Sequence, residues 1–460
     1  MADGHQEIKK PEAERKTTMH GYLKLLLIVF SIAMCGVLCA ARSMYLAVAP
    51  GSESNGVTLV RPNTKFTDLG DCNWFKSATC GDEVEEEDDR WGVLNNEVTV
   101  RCSSIPNNTL CCDQSSPDSD VCFLRGDVRT HPSSSSVLLV GSSSPLKTIL
   151  PYPRKWDTSV AARSATLSLL PTSYAPSCDV VHSVPAVVFA TDAFAGNLFH
   201  AFNEGLVPLF LTSHHLRRRV ALVILHYKHW WHSKYSDILR QISAFPPVDF
   251  AAGNKTHCFS SAIVGLRFHG VLSLDPSRSK NHASMSAFRR LLAEAYHKPG
   301  HNSRLRRRSR RPKLVIISRE KTRVIENEAD VTALAEEVGF EVEVVRPSDR
   351  LPLSALYEAL SVSEAMLGVH GAAMAHLLFL RRKAAVVEVV PLGLERLASG
   401  CFGEPAARIG LKYEEYRVGA RESSLSRRYG EGHEKKKCWV RRDDIHSWEL
   451  LKLLKAGTVD

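Results

Sequence analysis

Short apolar runs alternate with helical patterns in two blocks of the chain, at residues 137–296 and 313–418. In the first block we predict buried strands at residues 184–190 and 220–225, with a helix between them at residues 198–212. Such alternation is typical of parallel sheets that carry helices on both faces. Each block is therefore predicted to be a doubly wound, Rossmann-like α/β domain.

The second block shows the alternation most clearly. Its predicted strands are residues 314–317, 341–345, 365–369 and 384–390, and its predicted helices are residues 330–339, 354–363 and 372–380. Two such domains place a ligand in the crevice at the carboxyl ends of their strands. The pattern thus predicts two nucleotide-binding domains with a cleft between them.

The N-terminal region carries a candidate membrane anchor. Residues 21–41 form an apolar run that is long enough to span a bilayer and contains one charged residue, Lys24. Lys and Arg are concentrated in the first twenty residues, whereas Arg42 alone follows the run closely. This bias predicts a cytosolic tail at residues 1–20, an uncleaved anchor rather than a signal peptide, and a luminal remainder.

Cysteine usage agrees with a luminal, oxidising location. Six cysteines lie within 51 residues, and no CxxC pair occurs, so disulfides are favoured over zinc while their connectivity stays open; these are Cys72, Cys80, Cys102, Cys111, Cys112 and Cys122. Asn107 and Asn254 stand in glycosylation sequons. The sequence Asp118-Ser119-Asp120 is predicted to be part of a disulfide loop rather than a metal-binding motif.

Composition and motifs exclude several protein classes. The chain has 59 Lys and Arg against 50 Asp and Glu, a net charge of +9, which favours anionic ligands but is too weak to indicate nucleic acid. The signatures GxSxG, HExxH, GxGxxG and the Walker loop are absent from the sequence. Common hydrolase, zinc protease, dehydrogenase and NTPase functions therefore lack their residues.

Two segments of the second block are candidate diphosphate sites. Ser318, Arg319 and Arg323 follow the first strand, and guanidinium groups match phosphate oxygens, although a solvated turn is the alternative. His370 and Gly371 follow the third strand and open a helix, whose backbone N–H groups can bind an anion, although the histidine can also cap its own turn.

Glu388 is a carboxylate within a predicted buried strand and therefore needs a partner. The sequence leaves two candidates, which are a sugar or ribose hydroxyl of a donor and an arginine of the chain.

In the first block, Asn197 leads into a helix where His200 and Glu204 stand one turn apart. A histidine beside a carboxylate is a candidate general base, and a helix-terminal histidine satisfied by its neighbour is the alternative. His226, His229 and His232 are spaced like metal ligands.

Lys228, Trp230 and Trp231 interleave with those histidines, so no metal site is predicted there. We expect the tryptophans to form a sugar-stacking platform or part of the core.

Residues 112–424 resemble glycosyltransferase family 61, especially its plant members. The resemblance rests on ten ordered segments: CDQSSPDSDVCFLRGDVR, LPYPRKWD, AGNLFHAFNEGLVPLFLTS, WWHSKY, CFSSAIVGLRFHG, LVIISREKTR, EEVGFEV, MLGVHGAAMAHLLFL, AAVVEVVPLG and EYRVGARESSL. It implies a type II Golgi membrane enzyme of GT-B fold that transfers a sugar from a UDP-sugar with inversion and without a required metal. Plant members commonly add arabinofuranose or xylose to xylan.

Carried onto this chain, the resemblance places the nucleotide side at Ser318, Arg319, Arg323, His370 and Gly371, and the segment from Asn197 to His200 on the acceptor side. From the residue types themselves we add Glu388 to the nucleotide-sugar site and Lys228, Trp230 and Trp231 to the acceptor site, and we predict His200 and Glu204 to be catalytic. The chain departs from common plant patterns, FHDFTD and HGAGLTN, at Ala201, Asn203, Glu204, Ala373, Ala375 and His376.

These inferences define seven segments, which are the tail 1–20, the anchor 21–41, a luminal disulfide-containing stem 42–110, an acceptor-side domain 111–300, a basic linker 301–312, a nucleotide-sugar-side domain 313–420 and a C-terminal tail or helix 421–460. We expect a Golgi pentosyltransferase for a cell-wall polysaccharide, working alone, as an oligomer or in a transferase complex. A catalytically impaired scaffold, a transferase acting on N-glycans and a glycan-binding module are the alternatives.

Overall fold

The computed structural model describes residue 102 and residues 105–164, 166–191, 193–279, 283–297, 311–348, 350–419 and 422–423. The predicted tail and anchor, most of the stem and linker, and nearly all of the C-terminal segment lie outside these residues. Within them, none of the helices has the length and apolar character that a membrane crossing requires.

The strands and helices have the following bounds. The strands are β1 Thr109–Asp113, β2 Val121–His131, β3 Ser136–Val140, β4 Lys147–Ile149, β5 Leu167–Thr172, β6 Val180–Val181, β7 Ala186–Ala190, β8 Ala221–Leu225, β9 Val248–Asp249, β10 His257–Val264, β11 Lys313–Ile317, β12 Glu341–Val345, β13 Ala365–Val369, β14 Ala385–Val390 and β15 Lys412–Arg417. The α-helices are α1 Thr158–Ala161, α2 Leu198–His200, α3 Val207–Ser213, α4 His229–Ile242, α5 Met285–Tyr296, α6 Glu328–Glu337, α7 Leu353–Ser361, α8 Glu395–Ala398 and α9 Glu404–Arg408.

The first sheet is mixed rather than wholly parallel. Its order is β4-β5-β3-β2-β10-β7-β8-β9, with β1 paired to β2 and β6 to β10. Strands β7, β8, β9 and β10 are parallel as predicted, whereas β2 is antiparallel to β1, β3 and β10. The prediction of a doubly wound first domain is therefore wrong for its N-terminal half. Short turns join β1 to β2 and β2 to β3, and such connections permit only antiparallel pairing.

The second sheet has the predicted parallel arrangement, in the order β12-β11-β13-β14-β15. Its four apolar strands lie where the sequence placed them. Strand β15 was not predicted, because this edge strand reads KYEEYR and none of its residues is fully buried. The chain passes to opposite sides of β11 on its way to β12 and β13, so the gap between β11 and β13 is the switch point where α/β sheets bind ligands.

Helices from both halves share one hydrophobic core. Phe202 of the first half contacts Phe288 of α5 and Phe379 of the second half, with ring centroids 6.3 and 6.1 Å apart. Arg289 of α5 donates to the backbone carbonyls of Leu378, Leu380 and Ile409. These contacts join the first half of the chain to the second.

Disulfides join Cys102 to Cys111, Cys112 to Cys122 and Cys178 to Cys258. Disulfide formation in the cysteine cluster is thus confirmed, while Cys72 and Cys80 lie outside the described residues.

The Asp118–Asp120 segment falls inside the loop closed by Cys112 and Cys122, as predicted. Asp120 pairs with Lys155, and Asp118 accepts from the Trp156 indole. Asn107 and Asn254 are exposed in turns, and their glycosylation stays a prediction.

Candidate active site

The two candidate diphosphate segments meet at the switch point of the second sheet. Strands β11 and β13 are neighbours, with Ile317 paired to Gly368, so the residues that follow them emerge side by side. Arg323 donates from Nη1 to the carbonyl of His370 over 2.7 Å. The structure therefore brings together two motifs that lie about fifty residues apart in the sequence.

Gly371 makes this close approach possible. Its φ of +154° with ψ near 180° is a conformation that essentially only glycine adopts. A Cβ at this position would lie 2.5 Å from Nη1 of Arg319 and 3.7 Å from Cζ of Arg323. Any side chain at residue 371 would displace the Arg319 guanidinium group.

Arg319 and Arg323 form a half-buried positive site. Arg319 donates to the carbonyl and hydroxyl oxygens of Thr322, and the Nε of Arg323 is buried without a hydrogen-bond partner. Burial and the neighbouring Arg319 lower the pKa of Arg323 to about 10. In the described part of the chain neither guanidinium pairs with a carboxylate, and buried unpaired charges are costly, so this site favours an anionic ligand.

Glu388 holds His370 in place. The carboxylate is wholly buried on β14, and its two oxygens accept from Nδ1 of His370 over 2.6 Å and from the Tyr413 hydroxyl over 2.6 Å. The sequence suggested a sugar hydroxyl or an arginine as partner, and the structure shows a histidine and a tyrosine. With Nδ1 bound to Glu388, His370 presents Nε2 as its remaining polar atom. Tyr413 was missed because it lies on the unpredicted strand β15.

In the first half of the chain, His200 and Glu204 form the expected pair. Nδ1 of His200 lies 2.9 Å from Oε2 of Glu204, whose other oxygen accepts from the Asn203 amide over 2.9 Å. Asn203 in turn accepts from the backbone N–H of Leu272. Glu204 is 1% exposed. These contacts orient His200 and leave Nε2 for chemistry.

The helix itself helps to place this pair. Asn197 caps it by accepting from the backbone N–H of His200, so the side-chain oxygen of Asn197 serves structure. The following turn, Ala201–Leu206, is π-helical and continues into α3. Single π-helical turns are frequent at functional sites because they shift side chains relative to a regular helix.

Aromatic rings connect the two sides. Phe199, beside His200, packs edge-on against Phe402 with centroids 5.4 Å apart, and Phe402 packs against His370 at 5.5 Å. Phe194 stacks on His200 at 4.4 Å. The two histidines therefore lie on either side of one aromatic bridge, Phe199 with Phe402.

Comparison with known proteins identifies this arrangement. A model of glycosyltransferase family 61 matches residues 198–387, a stretch that begins at α2 and includes both histidine–carboxylate segments except Glu388. A xylan glycosyltransferase of Arabidopsis thaliana is 40% identical over 363 residues, which are 73% of each chain. The chain belongs to glycosyltransferase family 61.

Two further relatives come from Oryza sativa subsp. japonica. An α-1,3-arabinosyltransferase is 34% identical over 396 residues, 84% of this chain and 63% of its own length. A β-1,2-xylosyltransferase is 34% identical over 383 residues, 77% of this chain and 81% of its own length.

The remaining predicted residues of this family 61 glycosyltransferase lie after β8. Lys228 precedes α4, and Trp230 is 49% exposed, so its ring can meet a sugar. Trp231 is 2% exposed and packs against Tyr235, which makes it a core residue that offers no face to an acceptor. The described residues contain no group of three or more His, Cys, Asp or Glu suited to a metal ion.

Proposed function

We propose that this glycosyltransferase moves arabinofuranose or xylose from a UDP-sugar to a xylan-type polysaccharide, with inversion, in a GT-B cleft. The observation that carries the proposal is spatial: a candidate base and a candidate anion-binding site face each other. His200, with its buried carboxylate, lies across the Phe199–Phe402 bridge from two unpaired guanidinium groups. The pentose and the xylan acceptor rest on the named activities of the three relatives.

In this mechanism His200 takes the proton of the acceptor hydroxyl through Nε2. The hydroxyl oxygen forms a bond to the anomeric carbon while the bond from that carbon to the UDP oxygen breaks on the opposite face. Glu204 stabilises the imidazolium that forms, as an orienting carboxylate does in other His-dependent enzymes. A single displacement with a base on the acceptor face gives inversion.

Arg319 and Arg323 neutralise the charge that develops on the departing diphosphate. Preorganised donors of this kind act strongly in a site that excludes water. Because guanidinium groups meet this charge, we expect activity to survive removal of divalent ions, and assays with and without EDTA test this point.

The functional test uses the full chain in microsomes with UDP-arabinofuranose, UDP-xylose and other UDP-sugars. Xylo-oligosaccharides serve as acceptors, N-glycans as the competing acceptors, and His200→Ala as the matched control. We expect pentose transfer to xylo-oligosaccharides with an inverted anomeric centre. UDP binding without turnover would instead indicate a scaffold, transfer to N-glycans would change the acceptor, and no UDP affinity would indicate a glycan-binding module.

We further propose that the protein is a Golgi membrane protein with residues 21–41 as its anchor and residues 42–460 in the lumen. The apolar run and the Lys and Arg residues that precede it support this orientation. Protease treatment of sealed vesicles should spare the large fragment, and a glycosidase should shift its mass if Asn107 and Asn254 are modified. Digestion from outside would contradict the orientation.

A further inference from the structure

Arg154 lies in the segment that joins β4 to α1, and none of the site roles given above is assigned to it. Its backbone has a φ of +75°, which is unfavourable for a residue with a side chain. The Asp157 backbone N–H closes the turn by donating to the carbonyl of Arg154. Residues with such a strained backbone are frequent at functional sites, and contacts of the residue must offset the strain.

The Arg154 guanidinium group reaches the buried carboxylate of Glu204. Nη1 lies 3.6 Å from Oε1 of Glu204, and Nη2 lies 2.8 Å from Oδ2 of Asp157. The group also lies over the rings of Trp156, at 4.9 Å, and Phe194, at 5.3 Å. It is therefore fixed by one ion pair and two cation–π contacts while it faces Glu204.

Phe194 completes a closed set of contacts. This ring stacks on His200 with an interplanar angle of 23°. Arg154 thus lies beside the carboxylate of Glu204, and it is connected to the imidazole of His200 through the ring of Phe194. Among the described residues, the charged groups that contact the pair or the Phe194 ring include Arg154, its partner Asp157 before α1, and the exposed Arg163, which lies over Phe194 at 5.5 Å.

We propose that Arg154 is a positioning residue for the base of the transfer reaction, an inference that rests on the proposed role of His200. It keeps Glu204 ionised and in place, so that Nδ1 of His200 donates to the carboxylate and Nε2 stays unprotonated. Asn203, the other polar neighbour of Glu204, carries no charge and does not replace this effect.

The loss of Arg154 has a defined direction. Without the guanidinium, the buried Glu204 either takes up a proton itself or holds one on His200, because a buried carboxylate favours neutralisation. In the first case His200 loses its orienting acceptor, and in the second it cannot act as a base. Both outcomes remove activity at the acidic end of the pH range.

The test compares Arg154→Gln, Arg154→Lys and Arg163→Gln in the full chain, with kcat and KM measured from about pH 5 to 8. Arg163 is the matched control, because it contacts the same phenyl ring from an exposed position and does not contact Glu204. We expect Arg154→Gln to lower kcat by about tenfold and to move its acidic limb upward by about 0.5 to 1 pH unit, with donor KM unchanged.

Arg154→Lys keeps the positive charge but loses the planar contacts of the guanidinium group. Its kcat should therefore lie between those of Arg154→Gln and the wild type, and the acidic limb of its pH profile should lie close to that of the wild type. Arg163→Gln should keep the wild-type profile. An Arg154→Gln enzyme with an unmoved acidic limb would overturn the inference, as would equal losses in the Gln and Lys variants. If Arg154→Gln does not fold, Arg154→Lys carries the test, and a Lys variant whose acidic limb moves upward by about 1 pH unit is the contradicting result, because the retained charge should hold the limb in place.

The inference and the proposed function fail separately. Near-normal turnover of His200→Ala would remove the base and with it the premise for Arg154. An inactive His200→Ala beside an Arg154→Gln enzyme of normal pH profile would refute the role of Arg154 alone.

Discussion

The two sides of the candidate site, around His200 and around His370, contain the same pair of side chains in different surroundings. On each side a histidine directs Nδ1 at a buried glutamate, His200 at Glu204 and His370 at Glu388. Around His200 the positive charge of Arg154 is matched by acidic partners at 2.8 and 3.6 Å. Around His370 two guanidinium groups lack such partners in the described part of the chain.

This difference teaches that a histidine–carboxylate pair does not define a role by itself. A site with balanced charge tolerates a neutral imidazole that gains a proton during the reaction, as a base must. A site with excess positive charge opposes a protonated imidazole and attracts an anion instead. We therefore assign the base to His200 and donor binding to His370.

The largest expected effect separates these two roles. His200→Ala should lower kcat by about 100-fold or more, the usual scale for loss of a general base, while UDP affinity stays within the wild-type range. His370→Ala should mainly weaken donor binding. Steady-state kinetics with varied donor, together with UDP titration calorimetry, measure both. If both variants change kcat and UDP affinity in the same way, the distinction between the two sides is wrong.

The next effect concerns the unpaired guanidinium groups. Arg323→Ala should remove about 2 to 4 kcal/mol of transition-state stabilisation, if the loss resembles that of one preorganised donor elsewhere. Arg381→Ala is the control, because this exposed arginine pairs with Glu364, which precedes β13 at the edge of the sheet opposite to the switch point. The ratio of kcat to donor KM reports the effect. Equal values for wild type and Arg323→Ala would remove this residue from the site.

A smaller effect is expected from the glycine between them. Gly371→Ala places a Cβ against Arg319 and also strains the backbone, because φ is positive at this residue. The two effects together should weaken UDP binding by about tenfold. Gly339→Ala carries a comparable strain, with φ +108°, but nothing lies within 4 Å of its Cβ. It should cost stability and leave UDP affinity unchanged. Parallel losses of UDP affinity in both variants would attribute the effect to strain alone.

The smallest effect is a slope of stability with pH, and it compares the buried His376 of the second half with the half-buried His269 of the first half. Burial lowers the pKa of His376 to about 4, from 6.5, and that of His269 to about 4 as well. Between pH 6.5 and 4 the unfolded chain binds protons that the folded chain refuses, so stability falls on acidification.

For His376, which is completely buried, this loss is about 1 kcal/mol for each pH unit within that window. His376→Asn should flatten the slope, measured by urea unfolding at several pH values, and His269→Asn should flatten it less because that ring is partly exposed. His229→Asn, at an exposed histidine, is the control. A wild-type slope in His376→Asn would show that the ring is protonated in the folded chain.

Local patterns were sufficient for one of the two histidine–carboxylate pairs. His200 and Glu204 are one helical turn apart, and that spacing alone brings them together on one helix face. The parallel strands of the second sheet were equally readable, because strands buried on both faces form continuous apolar runs. The family likewise followed from ordered motifs and is confirmed by the relatives.

What the tertiary structure decided is the set of partners that are distant in the sequence. Glu388 meets His370 only because β13 and β14 are neighbours, and Tyr413 reaches it from an edge strand without an apolar pattern. The mixed order of the first sheet and the burial of Trp231 likewise depend on which elements pack together. Arg154 reaches Glu204 across fifty residues of intervening chain. Sequence periodicity indicates which face of a single helix or strand is buried, whereas contacts between elements depend on the packing of the whole core. For this reason, the balance of charges around His200 and around His370 could be seen only in the folded chain.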